Sequence, residues 1–436
     1  MAKTIRIVFW TFGVWTASLC SLLQAASLEA ELIGLLENHP QIQSNKYQVS
    51  SAEQGVAASF SAFLPSLNLT GEAGQEYIST PALRSTPAGP SDAGAESWGV
   101  TLSQNLYDGG RKFVNRGVAK TSRKVADYTL TNVTQAITFE GIAAYLDVLR
   151  QSQLVSLSNQ NERNIRLQLN LEDERVRRGS GIAVDVLQAK SRLQIALERL
   201  VFVSGALRDS QTRYFQVFAK MPSMETMLIP EPPRSLLPET LDTAVGIALS
   251  ENPTLRTTNK QIDLAMQNRE SIESEYYPNV DLVFEGGYED DFNGVPGIRR
   301  DWALKVRANW NLFNGLNTRY RTGQAAFDLQ ARRSDYLQTS RKVEEQTRLA
   351  WQALLTAEER VGLLENAVNI ASEVFESRKR LRESGRETAI NVLDSENEVF
   401  NAQINYTSAL FDARLFAYQV LLAMGRLTID STSAQP

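Results

Sequence analysis

Asn105-Leu106-Tyr107-Asp108-Gly109 returns 206 residues later as Asn311-Leu312-Phe313-Asn314-Gly315. The same offset carries Gly179 onto Gly385, and Val184-Asp185-Val186-Leu187 onto Ile390-Asn391-Val392-Leu393. Upstream the offset is 213: Asn38-His39-Pro40 falls on Glu251-Asn252-Pro253, and Phe63-Leu64-Pro65 on Tyr276-Tyr277-Pro278. A register held over so long a stretch marks a duplication. The change of offset puts a length difference, and so a variable loop, between residues 75 and 96. The chain reads as two copies of one unit, 27–221 and 241–426, with a proline-rich linker at 222–240 and a short tail at 427–436.

Proline placement divides each copy. None occurs between Arg111 and Met221, or between Asn314 and Gln435, and proline inside a helix costs about 3 kcal/mol. Both regions can therefore hold very long helices. Val186, Ala189, Leu193, Ala196, Leu200 and Val203 follow a 3-4-3 spacing, and Val392, Ser395, Val399, Ala402, Tyr406 and Ala409 repeat it. Val361, Leu364, Val368, Ala371 and Phe375 form a third seam. Heptad spacing implies paired helices. The interruptions Arg178-Gly179-Ser180-Gly181 and Glu383-Ser384-Gly385-Arg386 supply the glycine that ends a helix and turns the chain. The expectation is one α-hairpin per copy, at about 111–220 with its tip near 179 and at about 316–425 with its tip near 385.

Strands are expected just before these helices, at about 65–76, 97–107, 278–289 and 301–313. Val280, Leu282, Phe284, Gly286 and Tyr288 alternate with Asn279, Asp281, Val283, Glu285 and Glu289, and Trp302, Leu304, Val306, Ala308, Trp310 and Leu312 alternate with polar residues. Such alternation fits any half-buried sheet. Segments of about ten residues with tryptophans at their ends favour a transmembrane barrel. Four strands cannot close one, since about eight is the smallest number known, so several chains must share it. The loops 79–96 and 290–300, rich in Pro, Gly, Ser and Asp, would then face outward from the cell.

The start of the chain reads as a secretory leader over residues 1–26: Lys3 and Arg6, an apolar run from Ile7 to Leu23, then Ala25 and Ala26. Its removal leaves 43 bases against 50 acids, a balance that disfavours nucleic acid as a partner. Cys20 is the single cysteine and lies inside that leader, and His39 is the single histidine, beside Pro40. Most nucleophile–base pairs and zinc sites are thereby excluded. No enzyme activity and no cofactor or metal is expected. The rival from another class is a structural outer-membrane coiled-coil protein.

Duplicated strand–strand–hairpin units behind a leader resemble the TolC family of outer-membrane efflux proteins, over essentially the whole mature chain. The stretches Leu106–Gly110 and Leu312–Gly315, and those following Gly179 and Gly385, carry the resemblance. It implies an α+β membrane protein: a homotrimer with a twelve-stranded β-barrel continuous with a periplasmic α-helical coiled-coil barrel, and a mixed belt around its middle. It implies an inner-membrane adaptor and a transporter such as an ABC exporter as partners, with outer-membrane lipid around the barrel. Leu393-Asp394-Ser395-Glu396-Asn397-Glu398-Val399-Phe400 is most similar to the branch serving type I protein secretion, with multidrug efflux as the alternative. By the same resemblance Asp185, Asn391 and Asp394 would ring the periplasmic entrance, Asn391 being an amide where a carboxylate is often found. The other reading of Asp185 and Asp394 is as helix N-terminal acids that complement the dipole. Arg386 and Glu387 would be gating contacts, or simply solvated turn residues. Gly179 and Gly385 would mark the tips where the adaptor docks.

Overall fold

The computed structural model describes residues 28–87 and 89–429. The leader with Cys20 and residues 430–436 of the tail lie outside them. The first copy runs α1 (Leu28–Asn38), α2 (Pro40–Ser59), β1 (Ser66–Ile78), a one-turn helix α3 (Pro81–Arg84), β2 (Ser91–Tyr107), α4 (Arg111–Arg177) and α5 (Ala183–Phe218). The second runs α6 (Leu241–Glu251), α7 (Pro253–Glu273), β3 (Asn279–Asp290), β4 (Ile298–Asn309), α8 (Asn317–Glu383) and α9 (Ala389–Met424).

The copies begin alike for a local reason. His39 caps α2, its Nδ1 accepting from Gln41 N at 3.3 Å, and Asn252 caps α7, accepting from Thr254 N at 3.0 Å. Pro40 and Pro253 then occupy the first helical turn, where proline's missing N–H is harmless.

The four strands form one antiparallel sheet in the order β1-β2-β3-β4. Its register sorts the side chains by face. Leu67, Leu102, Phe284 and Leu304 lie in one row, and Leu69, Val100, Gly286 and Trp302 in the next. The opposite face carries Asn68, Thr101 and Glu285, with Lys305 and Arg307 donating to Glu285 at 2.8 and 2.7 Å. Leu67, Leu69, Trp302, Leu304 and Val306 are exposed on the single chain. The first face is apolar over its middle rows, with Gln104 toward one end and Arg300, Glu96 and Asp290 toward the other, and such an apolar band opposite a charged face separates lipid from water. Among the described residues no helix is long and apolar enough to cross a membrane.

Two left-handed residues turn each copy from sheet to long helix. Gly109 and Gly110 have φ of 71° and 87°, and Gly315 and Leu316 have φ of 67° and 66°. A Cβ on Gly109 would sit 2.5 Å from the Ser274 carbonyl oxygen, so only glycine fits there.

Helices α4 and α8 have 67 residues each, α5 and α9 only 36. At 1.5 Å per residue the long ones span about 100 Å and the short ones about 54 Å. The hairpins are therefore uneven. The tip half of α4 packs on α5, and its sheet-proximal half packs on α2 and α7. The seams pack as their spacing requires: Val186, Ala189, Leu193, Ala196 and Val203 are buried along α5, and Val392, Ser395 and Ala409 along α9. Where the short helices end, α1, α4, α5, α6, α8 and α9 converge on the main core around Leu32, Tyr145, Tyr214, Tyr418 and Leu421. The Tyr145 hydroxyl donates to Leu228 O at 2.8 Å and accepts from Leu228 N at 3.0 Å, strapping the linker to the helices.

Candidate site at the hairpin tips

Both hairpins turn in the same way. After α4, Gly179 N donates to Val176 O at 3.0 Å and Ser180 N to Arg175 O at 3.0 Å. After α8, Gly385 N donates to Arg382 O at 3.0 Å and Arg386 N to Leu381 O at 2.9 Å. These are the paired bonds of a Schellman ending, with Gly179 and Gly385 at φ 74° and 76°.

The returning helices start differently. Thr388 caps α9, its hydroxyl accepting from Asn391 N at 3.3 Å. The Asn391 amide donates to Glu387 Oε1 at 2.6 Å, and Thr388 N donates to the same oxygen at 2.9 Å. These bonds, the Asn391 one above all, hold the Glu387 carboxyl below the usual range. Asn391 and Glu387 thus form one cap, local to the second hairpin. Arg386 is exposed, and among the described residues its side chain meets no ion-pair partner.

The contacts between hairpins come from other residues. Arg382, at the end of α8, donates to both Glu172 oxygens on α4, at 2.9 and 3.0 Å, and to Glu387 O at 3.0 Å. Its Nη2 is also 4.0 Å from Asp185 Oδ2 on α5. The Glu172 side chain is only 4% exposed, and Arg175 supports it from the same helix at 3.1 Å. Further from the tip, Arg192 of α5 pairs with Asp394 of α9. Asp185 and Asp394 therefore both belong to bridges between hairpins, Asp185 as the outer member of its cluster.

Glu172, Arg192 and Arg382 escape a search for entrance residues near the tip glycines. The duplication offset holds the missing signal. Glu172-Asp173-Glu174 falls on Arg378-Lys379-Arg380, and Lys190 and Arg192 fall on Glu396 and Glu398. The two tips carry inverted charge at equivalent positions. The inversion is local: α4 carries acids at 172–174 where α8 carries bases at 378–380, and α5 carries bases at 190 and 192 where α9 carries acids at 396 and 398.

A sheet with one apolar face, carried on two long hairpins that bridge each other at their tips, is the architecture of outer-membrane channels. Solved structures of that class match nearly the whole chain at 14–15% identity. Among them are CusC (TM-score 0.79, 91% of each chain) and VceC of Vibrio cholerae (0.78, 91% of this chain and 96% of that one). The family model described as "Outer membrane efflux protein" matches residues 34–217 and 244–424, one match per copy. The chain belongs to that family, an outer-membrane family. Among curated relatives it is 24% identical to the outer membrane efflux protein BepC of Brucella suis, over 94% of this chain and 87% of that one. It is also 24% identical to the outer membrane protein TolC of Vibrio cholerae, over 95% and 92%.

Proposed function

We propose that three copies of this chain close one twelve-stranded barrel and a helical tunnel, forming the outer-membrane duct of a tripartite export system. The observation that carries this reading is the sheet. It has four strands, one face apolar over its middle rows, and β1 and β4 each paired on one side only. In lipid an unpaired edge leaves backbone groups unsatisfied at several kcal/mol each, so β4 of one copy must pair with β1 of the next. Exposed apolar residues on α8, among them Leu363, Ile370 and Leu381, and on α5, among them Leu187 and Val201, suit the same contact between copies.

In this reading the tips form the periplasmic entrance. Asp185, Asn391 and Asp394 line it, and the Arg382–Glu172 bridge holds neighbouring hairpins closed. Gly179 and Gly385 present the turns to an inner-membrane adaptor serving a transporter. With an amide at 391, the carboxylates of such a ring are Asp185 and Asp394, which favour cations. The cargo we favour is a protein exported by a type I system, on the similarity of residues 393–400 to that branch. Small-molecule efflux is the second reading, favoured by the description of the family. Deleting the gene and assaying both secreted protein and sensitivity to toxic compounds separates the two. Purified chain that forms no ion-conducting trimers in planar bilayers would overturn the duct itself.

A further inference from the structure

Far from the tips, toward the C-terminal end of α9, the linker crosses the second hairpin and leaves a cavity of about 550 Å³ between itself, α8 and α9. Pro232, Val361, Leu410 and Ala417 give it apolar walls, and Gly362 opens its floor. A Cβ at Gly362 would meet nothing within 4 Å, so the space there is free.

One charged group inside is left uncompensated. Arg414 of α9 lies against the Phe411 ring, 5.6 Å from its centroid, and its Nη1 is buried without a hydrogen-bond partner. Burial holds its pKa below the ordinary arginine value, and Glu231 only partly offsets this. The nearby carboxylates do not complete it. Glu358 is engaged by Arg234 at 3.2 Å, and Glu231 sits exposed at the rim, making no ion pair with Arg414. A buried N–H without a partner costs about 1–3 kcal/mol, more when the group is charged. The lining combines these apolar walls with Glu231, Arg234, Glu358 and Arg414, and apolar surface with a few convergent polar groups is the usual form of a small-molecule site.

We propose that this cavity is a binding site for a small organic anion with an apolar body, its carboxylate or sulfonate accepting from Arg414 and its hydrocarbon part lying over Gly362 between α8 and the linker. The bound molecule clamps the linker to the second hairpin. Charge assistance makes the Arg414 contact the strong one, and the walls account for the preference for an apolar body.

The test is calorimetric titration of the full-length chain in maltoside micelles with 2-naphthoate, against 2-naphthamide as the neutral probe of the same shape. Saturable binding of the carboxylate is expected, with the amide roughly tenfold or more weaker. Arg414→Gln is expected to abolish that difference, and Arg414→Lys to restore part of it. Gly362→Leu leaves the guanidinium in place, fills the floor and is expected to remove binding, while the thermal midpoint stays close to that of the parent. Equal binding of acid and amide, or binding of 2-naphthoate that survives both Arg414→Gln and Gly362→Leu, overturns the proposal.

Discussion

Arg382→Ala removes the central contact between the two hairpins. The guanidinium makes two bonds to Glu172, at 2.9 and 3.0 Å, and a third to Glu387 O at 3.0 Å. Hydrogen bonds to charged groups contribute about 1.5–3 kcal/mol. The buried Glu172 is not orphaned by the change, because Arg175 remains at 3.1 Å, so the lower end applies. A loss of about 1.5 kcal/mol per chain, in the three copies of the proposed trimer acting on one entrance, gives about 4.5 kcal/mol, or about 10³-fold in the closed-to-open ratio. Single-channel recording in planar bilayers reads this directly: Arg382→Ala is expected to pass a larger current and to stay open far longer than the parent. Reversing the pair, with Glu172→Arg and Arg382→Glu together, should restore closure only in part, since Arg175 would then face a like charge. Folded Arg382→Ala trimers whose conductance and open time match the parent would refute the latch.

Arg192→Ala breaks a bridge whose partners are 38% and 44% exposed, so the same recording should show a change of no more than about 1 kcal/mol per chain. Glu396 is buried between α4 and α9, faced by Asn164 from α4 and Lys379 from α8, and desolvation raises its pKa. A raised carboxyl favours the packed state at low pH and loses that contribution as pH rises through the shifted value. Glu396→Gln should therefore flatten the pH dependence of the thermal midpoint and raise the midpoint on the alkaline side. Gly109→Ala combines a left-handed φ, costing about 1–2 kcal/mol, with a Cβ 2.5 Å from Ser274 O. The expected result is a sharp loss of folded protein, read on a native gel as loss of the proposed trimer.

The parts written twice were the most legible. Alternation in 279–289 was enough to find β3, and the proline-free stretches bounded the long helices. The misses have physical causes. Strand β2 starts at Ser91, well before the aromatic alternation, because Ser91 to Glu96 pair with Ala73 to Ile78 although small and acidic residues give them little strand preference. Trp310 and Leu312 continue the alternation past the end of β4 at Asn309. Beyond Asn279, β3 offers no partner, and Trp310 Nε1 bonds to Tyr276 O instead, at 3.1 Å. Helices α2 and α7 were announced only by His39-Pro40 and Asn252-Pro253, since Ser and Gly in α2 blur its apolar period. At the tip, Asp185 and Asp394 could be found by their distance from the glycines. Glu172, Arg192 and Arg382 could not, because their meaning depends on which helix lies opposite.

That dependence says why the two copies differ where they do. Duplication supplies two hairpins of one backbone, each as able to pack against its own likeness as against the other. In the ring proposed for three chains, a hairpin set beside one of its own kind would bring acid against acid at 172–174 of α4, or base against base at 378–380 of α8. Setting the two kinds alternately brings Glu172 to Arg382 and Arg192 to Asp394. Apolar seams cannot make that distinction, since Val186 and Val392, or Leu193 and Val399, fit either neighbour. Like charges in contact cost energy whichever hairpin carries them, so the inversion at 172–174 and 378–380 excludes the wrong neighbour as well as attracting the right one. The packing of the tunnel can be common to both copies, and the order of hairpins around its entrance is carried by the charges in which they differ.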